Sequence, residues 1–144
     1  QGDTPAWEKL TLASTIGGMV INTAGVTLAH GMEHPASGLK NIVHGQGLAA
    51  LTPAVIEVSQ KGNPAKFRKI SEILSGGTDA DCVAAIRGLR KELELDCTLS
   101  ELGIRKEDIP WMAENCMKVS AASVAANPVV FTEAEIAKIY EKAL

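Results

Sequence analysis

All three histidines of this 144-residue chain fall within one stretch of fifteen positions, as His30, His34 and His44. They stand in the runs Ala29-His30-Gly31-Met32-Glu33-His34-Pro35 and Val43-His44-Gly45. Imidazole is the commonest side-chain ligand of transition metals and the usual general acid or base near neutral pH. His30 and His34 sit four residues apart, so on a helix their rings share a face. Spacing alone therefore makes His30 and His34 a ligand pair, with His44 as a third donor. A lone histidine is more often a satisfied core or surface group than a ligand. Three of them beside the apolar stretch 24–29 suit a plain surface poorly. Glu33 invites a general-base role, but side chains at i and i+1 diverge on a helix, so it is expected on the solvated surface.

Other chemistry finds little support. No glycine-rich phosphate loop follows a strand, and Ser14, Ser37 and Ser59 lie in no nucleophile elbow. Cys82, Cys97 and Cys116 form no CxxC pair and are odd in number, which fits small buried hydrophobes or idle thiols in a reducing compartment. Net charge is −3 with no basic stripe, so nucleic acid is not an expected partner. No apolar run approaches the roughly 18 residues that span a bilayer, and no cleavable leader pattern opens the chain. A cytoplasmic location is the expectation.

The elements that must position the histidines read as helices. Hydrophobic residues make up 46% of the chain and aromatics only 3%, a balance that favours close helix packing over a sandwich. Thr4-Pro5 looks like an N-cap and first helical residue, opening a helix through Trp7, Leu10, Ile16 and Val20 to about Asn22. A short helix from about Gly25 delivers His30 and His34, Pro35 opposes its continuation, and 36–41 reads as a loop. From His44 a longer apolar helix runs through Leu48, Leu51, Val55 and Val58 and meets Pro53. Asn63-Pro64 caps the next, with Phe67, Ile70 and Leu74 as its buried face; Gly76-Gly77 ends it, and Thr78 or Asp79 caps its successor. There Cys82, Ala85, Ile86, Leu89 and Leu93 form the most regular amphipathic stripe in the chain. Thr98 and Ser100 begin a turn, a helix follows over about 107–117, and Asn127 to Val130 reads as extended. Thr132-Glu133-Ala134-Glu135 fits a capping box before a last helix carrying Ile136, Ile139 and Tyr140. The expected fold class is all-α: about seven helices in a compact bundle, one helical domain over residues 1–144.

The histidine segments also resemble a known family. Leu28-Ala29-His30-Gly31-Met32-Glu33-His34-Pro35, then Val43-His44-Gly45-Gln46-Gly47-Leu48-Ala49, is similar to the signature of the iron-containing (group III) alcohol dehydrogenases. There a His is followed after three residues by His-Pro, and a His-Gly falls fourteen residues beyond the first His. The likeness extends over the whole chain, to Leu12 through Gly25 before the signature and to Pro53, 67–74, Asn127-Pro128 and 132–144 after it.

The resemblance implies a two-domain oxidoreductase: an N-terminal α/β domain binding NAD(P), and a helical C-terminal domain holding Fe²⁺ or Zn²⁺ that polarises an alcohol or carbonyl oxygen. It assigns His30 and His44 as metal ligands, alongside an Asp and a His from an earlier helix, and puts His34 beside the metal in a catalytic role of proton relay or cofactor contact. This chain offers no cofactor-binding residues of its own. It is thus expected to be a C-terminal piece whose nucleotide-binding domain and two further ligands lie elsewhere. Alone it should be inactive, bind metal weakly or not at all, and self-associate as a homo-oligomer. The substrate would be a small alcohol or aldehyde. A stand-alone helical interaction module with adventitious metal, or an oxoacid-acting reductase or transhydrogenase of the same family, are the alternatives. The loop 36–41 departs from the commoner family wording.

Overall fold

The computed structural model describes residues 2–77 and 81–144. Among them run eight α-helices and two single 3₁₀ turns, and no strand. Helix α1 spans Thr4–Ala24, α2 Leu28–Lys40, α3 His44–Ser59, α4 Pro64–Leu74, α5 Cys82–Glu92, α6 Ile109–Val119, α7 Ala121–Ala125 and α8 Glu133–Ala143. The all-α expectation holds. The short α7 is the helix the sequence pattern does not announce; the proposed caps Thr78 and Asp79 lie outside the described residues.

Several helix ends follow from local chemistry. Asn63 caps α4, its side chain accepting from the Lys66 N–H at 3.2 Å, with Pro64 at the first helical position. Thr132 and Glu135 form the reciprocal capping box at α8. At α1 the cap is Asp3 rather than Thr4, its carboxylate accepting from the Ala6 N–H. Gly25 ends α1 at φ 72°. The chain then turns through 103° into α2.

Three expectations need correction. Pro35 does not stop α2, which continues to Lys40 and ends only where Asn41 enters the left-handed region at φ 53°. A proline inside a helix forfeits one backbone hydrogen bond. Here Pro35 and Ala36 are buried, and α2 packs along α3, α6 and α7, so tertiary burial outweighs the lost bond. The stripe on α5 is also only half used. Cys82 and Val83 are buried, whereas Leu89 and Leu93 are 39% and 57% exposed. On α4, Phe67 and Ile70 are half-buried, Leu74 is exposed, and Ser71 is the residue that faces inward.

The core joins α2, α3, α6 and α8. Leu28, Met32 and Ala36 meet Leu51 and Val55, Ile109, Met112 and Cys116, and Ile136, Ile139 and Tyr140. Tyr140, fully buried, donates its hydroxyl to the Met32 carbonyl and pins the last helix to the turn of α2 that carries the histidines. Burial raises the Tyr140 phenol above its ordinary range, so it stays a donor.

Helix α1 is the exception. It has no buried residue and belongs to none of the substantially packed helix pairs, while Trp7, Leu10, Leu12, Ile16, Met19, Val20 and Ile21 are all about half exposed or more. Its apolar residues spread around the whole helix, a pattern that normally belongs to a buried one. No single described helix is long and apolar enough to cross a membrane; α1 and α2 pass such a test only as a bent pair.

Candidate functional site

Helical geometry and one tight turn bring the histidines together. On α2, at about 100° per residue, His30 and His34 are ~40° apart, on the side of the helix opposite the buried stripe of Leu28, Met32 and Ala36. Asn41 then reverses the chain, Val43 serves as N-cap, and His44 becomes the first residue of α3. Because α3 packs along α2, His44 lands opposite the α2 pair. Ring centroids stand 5.3 Å apart for His30 and His44, 5.9 Å for His34 and His44, and 6.3 Å for His30 and His34. His30 is half-buried and the other two are exposed, so the cluster faces an open surface. The cleft of about 370 Å³ between Glu57, Lys61, Phe67 and Arg68 adjoins the far end of α3, thirteen residues from His44.

Can such a cluster hold a metal ion? Two imidazoles bound at about 2.05 Å place their ring centres about 3.2 Å from the ion, and a tetrahedral angle then separates the centres by about 5.2 Å. His30 and His44 meet that condition at 5.3 Å. His34, at 5.9 and 6.3 Å from the others, would require angles of about 135° and 160°. Among the described residues, correspondingly, no three His, Cys, Asp or Glu side chains are arranged to close on one ion. The donor set fits a divalent ion taking two nitrogens from this chain and its remaining ligands from elsewhere.

The electrostatics suit ligation. Partial burial lowers the His30 pKa below its ordinary 6.5, the neighbouring His44 and His34 push the same way, and Glu33 opposes them. His30 is therefore neutral, with a free lone pair, at physiological pH.

The expectation for Glu33 is overturned. Its side chain is completely buried, the only charged residue in the buried class among the described residues. One carboxylate oxygen, Oε1, accepts from the Ser37 hydroxyl, one turn along α2, and the other, Oε2, meets Nδ1 of His44. Glu33 does diverge from its neighbour His34; its partners are i+4 on the same helix and the first residue of the next. Ser37 four residues on, and the small Gly47 one turn into α3, are the signals that could have revealed it.

Comparison with known proteins places the whole chain. Residues 1–144 match the family model described as "Fe-containing alcohol dehydrogenase family, C-terminal". The 1,3-propanediol dehydrogenase of Citrobacter freundii is 33% identical over 146 residues, covering 96% of this chain and 37% of that protein. Lactaldehyde reductase of Escherichia coli (strain K12) is 28% identical over 150 residues, covering 99% of this chain and 39% of that protein. An archaeal Red Sea brine pool alcohol dehydrogenase, ADH/D1, superposes with a TM-score of 0.93 at 31% identity, over 99% of this chain and 38% of that one. A 1,3-propanediol oxidoreductase structure gives a TM-score of 0.82 at 33% identity, over 92% of this chain and 36% of that one. The chain thus spans less than two-fifths of the length of these relatives.

Proposed function

The chain belongs to the iron-containing alcohol dehydrogenase family, as its C-terminal helical part, and we propose that it supplies half of the metal centre of an NAD(P)-linked alcohol dehydrogenase. His30 and His44 are the two ligands it contributes; His34 is the catalytic histidine beside them. The observation that carries this reading is the 5.3 Å separation of the His30 and His44 rings, which tetrahedral ligation of one ion reproduces and which neither pairing with His34 approaches as closely. It favours the ligand pair that the family resemblance assigns over the pair suggested by spacing alone.

A divalent iron or zinc ion held there supplies Lewis acidity to the oxygen of an alcohol or carbonyl substrate. The side chains of this chain do the rest of the local work. His30 stays neutral and ready to ligate. His34 is exposed and within 6.3 Å of both other rings, so its imidazole can accept the hydroxyl proton of an alcohol and pass it to water; a bound nicotinamide would supply the acceptor for the carbon-bound hydride. The nucleotide-binding portion and the remaining metal ligands belong to polypeptide beyond these 144 residues. Relatives named for 1,3-propanediol and for lactaldehyde support a small alcohol or aldehyde as the substrate class. In the isolated chain, the bare α1 surface is covered by a second copy.

Metal analysis and alcohol-dependent NAD(P)⁺ reduction on the complete enzyme test the proposal. His30→Ala and His44→Ala should purify without metal, and His34→Ala should keep its metal while turnover falls by about 10²–10⁴-fold. Full metal occupancy in His30→Ala would overturn it.

A further inference from the structure

Glu33 has no place in the metal site as so far described, yet it is the charged group most deeply enclosed by the fold. We propose that Glu33 is a positioning residue for His44: its buried carboxylate fixes His44 as the Nδ1–H tautomer and presents Nε2 as the ligating nitrogen. The proposal rests on the reading of His44 as a metal ligand.

The argument begins with donors and acceptors. A carboxylate oxygen accepts, so the contact between Glu33 Oε2 and His44 Nδ1 puts a hydrogen on Nδ1. The lone pair of a neutral His44 ring is then on Nε2, across the ring from Glu33. Free histidine prefers the opposite tautomer, so the preference has to be imposed. The second oxygen is held by the Ser37 hydroxyl, which also reaches the Ile42 carbonyl at 3.0 Å. Ser37 therefore ties the carboxylate to the turn that delivers His44.

Space on the third side is closed as well. A Cβ on Gly47 would sit 2.7 Å from Glu33 Oε1 and 2.9 Å from its Cγ, so the backbone of α3 passes directly against the carboxylate. Glu33 is fully buried while the His44 side chain is half exposed. The pair is anchored at the protein end and open at the ligand end. An unpaired buried carboxylate is strongly unfavourable, and here the imidazole N–H and serine hydroxyl satisfy it. The negative charge also lies one imidazole away from where a cation would bind.

Two measurements on the metal-free and Co²⁺-loaded chain separate this role from simple stapling of α2 to α3. Long-range ¹H–¹⁵N correlation spectra of the metal-free chain report the His44 tautomer. Nδ1–H should predominate in the wild type and give way to Nε2–H in Glu33→Ala. Co²⁺ titration followed by visible absorption should show affinity weakened by about 100-fold in Glu33→Ala and about 10-fold in Glu33→Gln, the span usual for lost outer partners of a metal-bound histidine. Glu33→Gln keeps the shape and can still accept from Nδ1–H, so it retains the tautomer and decides the matter if Glu33→Ala fails to fold. A wild-type His44 in the Nε2–H form, or Co²⁺ affinity in both variants within twofold of wild type, would overturn the proposal. With only two nitrogen donors the isolated chain is expected to hold Co²⁺ weakly at most, so if the wild type takes up none, the tautomer spectra alone decide the role of Glu33.

Discussion

Adding one methyl group at Gly47 should do harm that the same change at Gly38 does not. Both glycines are helical, and Gly→Ala inside a helix ordinarily stabilises by ~0.5–1 kcal/mol. At Gly38 on α2 an added Cβ meets nothing within 4 Å, so that gain should be realised. At Gly47 it meets Glu33 at 2.7 Å (Oε1), 2.9 Å (Cγ) and 3.2 Å (Cδ). A free glutamate would swing aside, but this one is enclosed and held by Ser37 and His44. Overpacking of that kind costs about 1–3 kcal/mol. Because the propensity gain is common to both variants, it cancels, and they should differ by about 1–3 kcal/mol. For a domain of this size that is a separation of roughly 2–12 °C in Tm. Thermal and urea unfolding followed by circular dichroism would measure it. If Gly47→Ala is stabilised as much as Gly38→Ala, the carboxylate is not pinned, and the account of Glu33 fails with it.

Three further outcomes are expected. The His30 midpoint in the metal-free protein should lie below 6.5, because burial and the other two imidazoles disfavour its charged form. The stability tied to a neutral His30 is thus complete above that value and is lost as pH falls through the folded midpoint. In Glu33→Ala the midpoint should fall further, and an NMR titration with a midpoint above 6.5 in the wild type would contradict this. Thiol labelling at pH 8 should modify half-buried Cys97 first, since burial pushes the Cys116 thiol up to about 11 and raises Cys82 as well; equal rates for Cys97 and Cys116 in the folded protein would refute it. Sedimentation of the isolated chain should show concentration-dependent self-association, because re-covering even ~400 Å² of apolar surface on α1 is worth on the order of 10 kcal/mol before association entropy is subtracted. Leu12→Glu combined with Ile16→Glu should abolish it, and a wild type that stays monomeric at high micromolar concentration would count against the idea.

What can be read in the sequence is what local chemistry decides. Asn63-Pro64 and Thr132 with Glu135 mark helix starts because the capping atoms lie within three residues of the amides they satisfy. The histidine cluster is visible for the same reason, as a matter of spacing. The errors fall where packing overrules local preference. Pro35 reads as a stop because its ring opposes a helix, but neighbouring helices bury it and α2 runs on. Leu89 and Leu93 read as core because their period is right, yet their neighbours leave them 39% and 57% exposed. Periodicity reports which residues share a face and is silent on whether anything packs against it.

The metal site turns on the same distinction. Spacing ranks His34 as the partner of His30, since four residues is one helical turn. In the folded chain the turn at Asn41 brings His44 to 5.3 Å from His30, nearer than His34 at 6.3 Å. The residue fourteen positions away wins because a second helix can approach face to face, whereas rings one turn apart on one helix stay splayed. Glu33 follows the same logic. A carboxylate among polar neighbours reads as surface until the N-terminus of α3 is laid over it, with His44 to donate and Gly47 to make room. Two of its three constraints come from α3, so no inspection of α2 alone could have buried it. If Glu33 orients His44, the helix that carries His30 also sets the ring on the other, and the spacing of the two ligands depends on the α2–α3 contact.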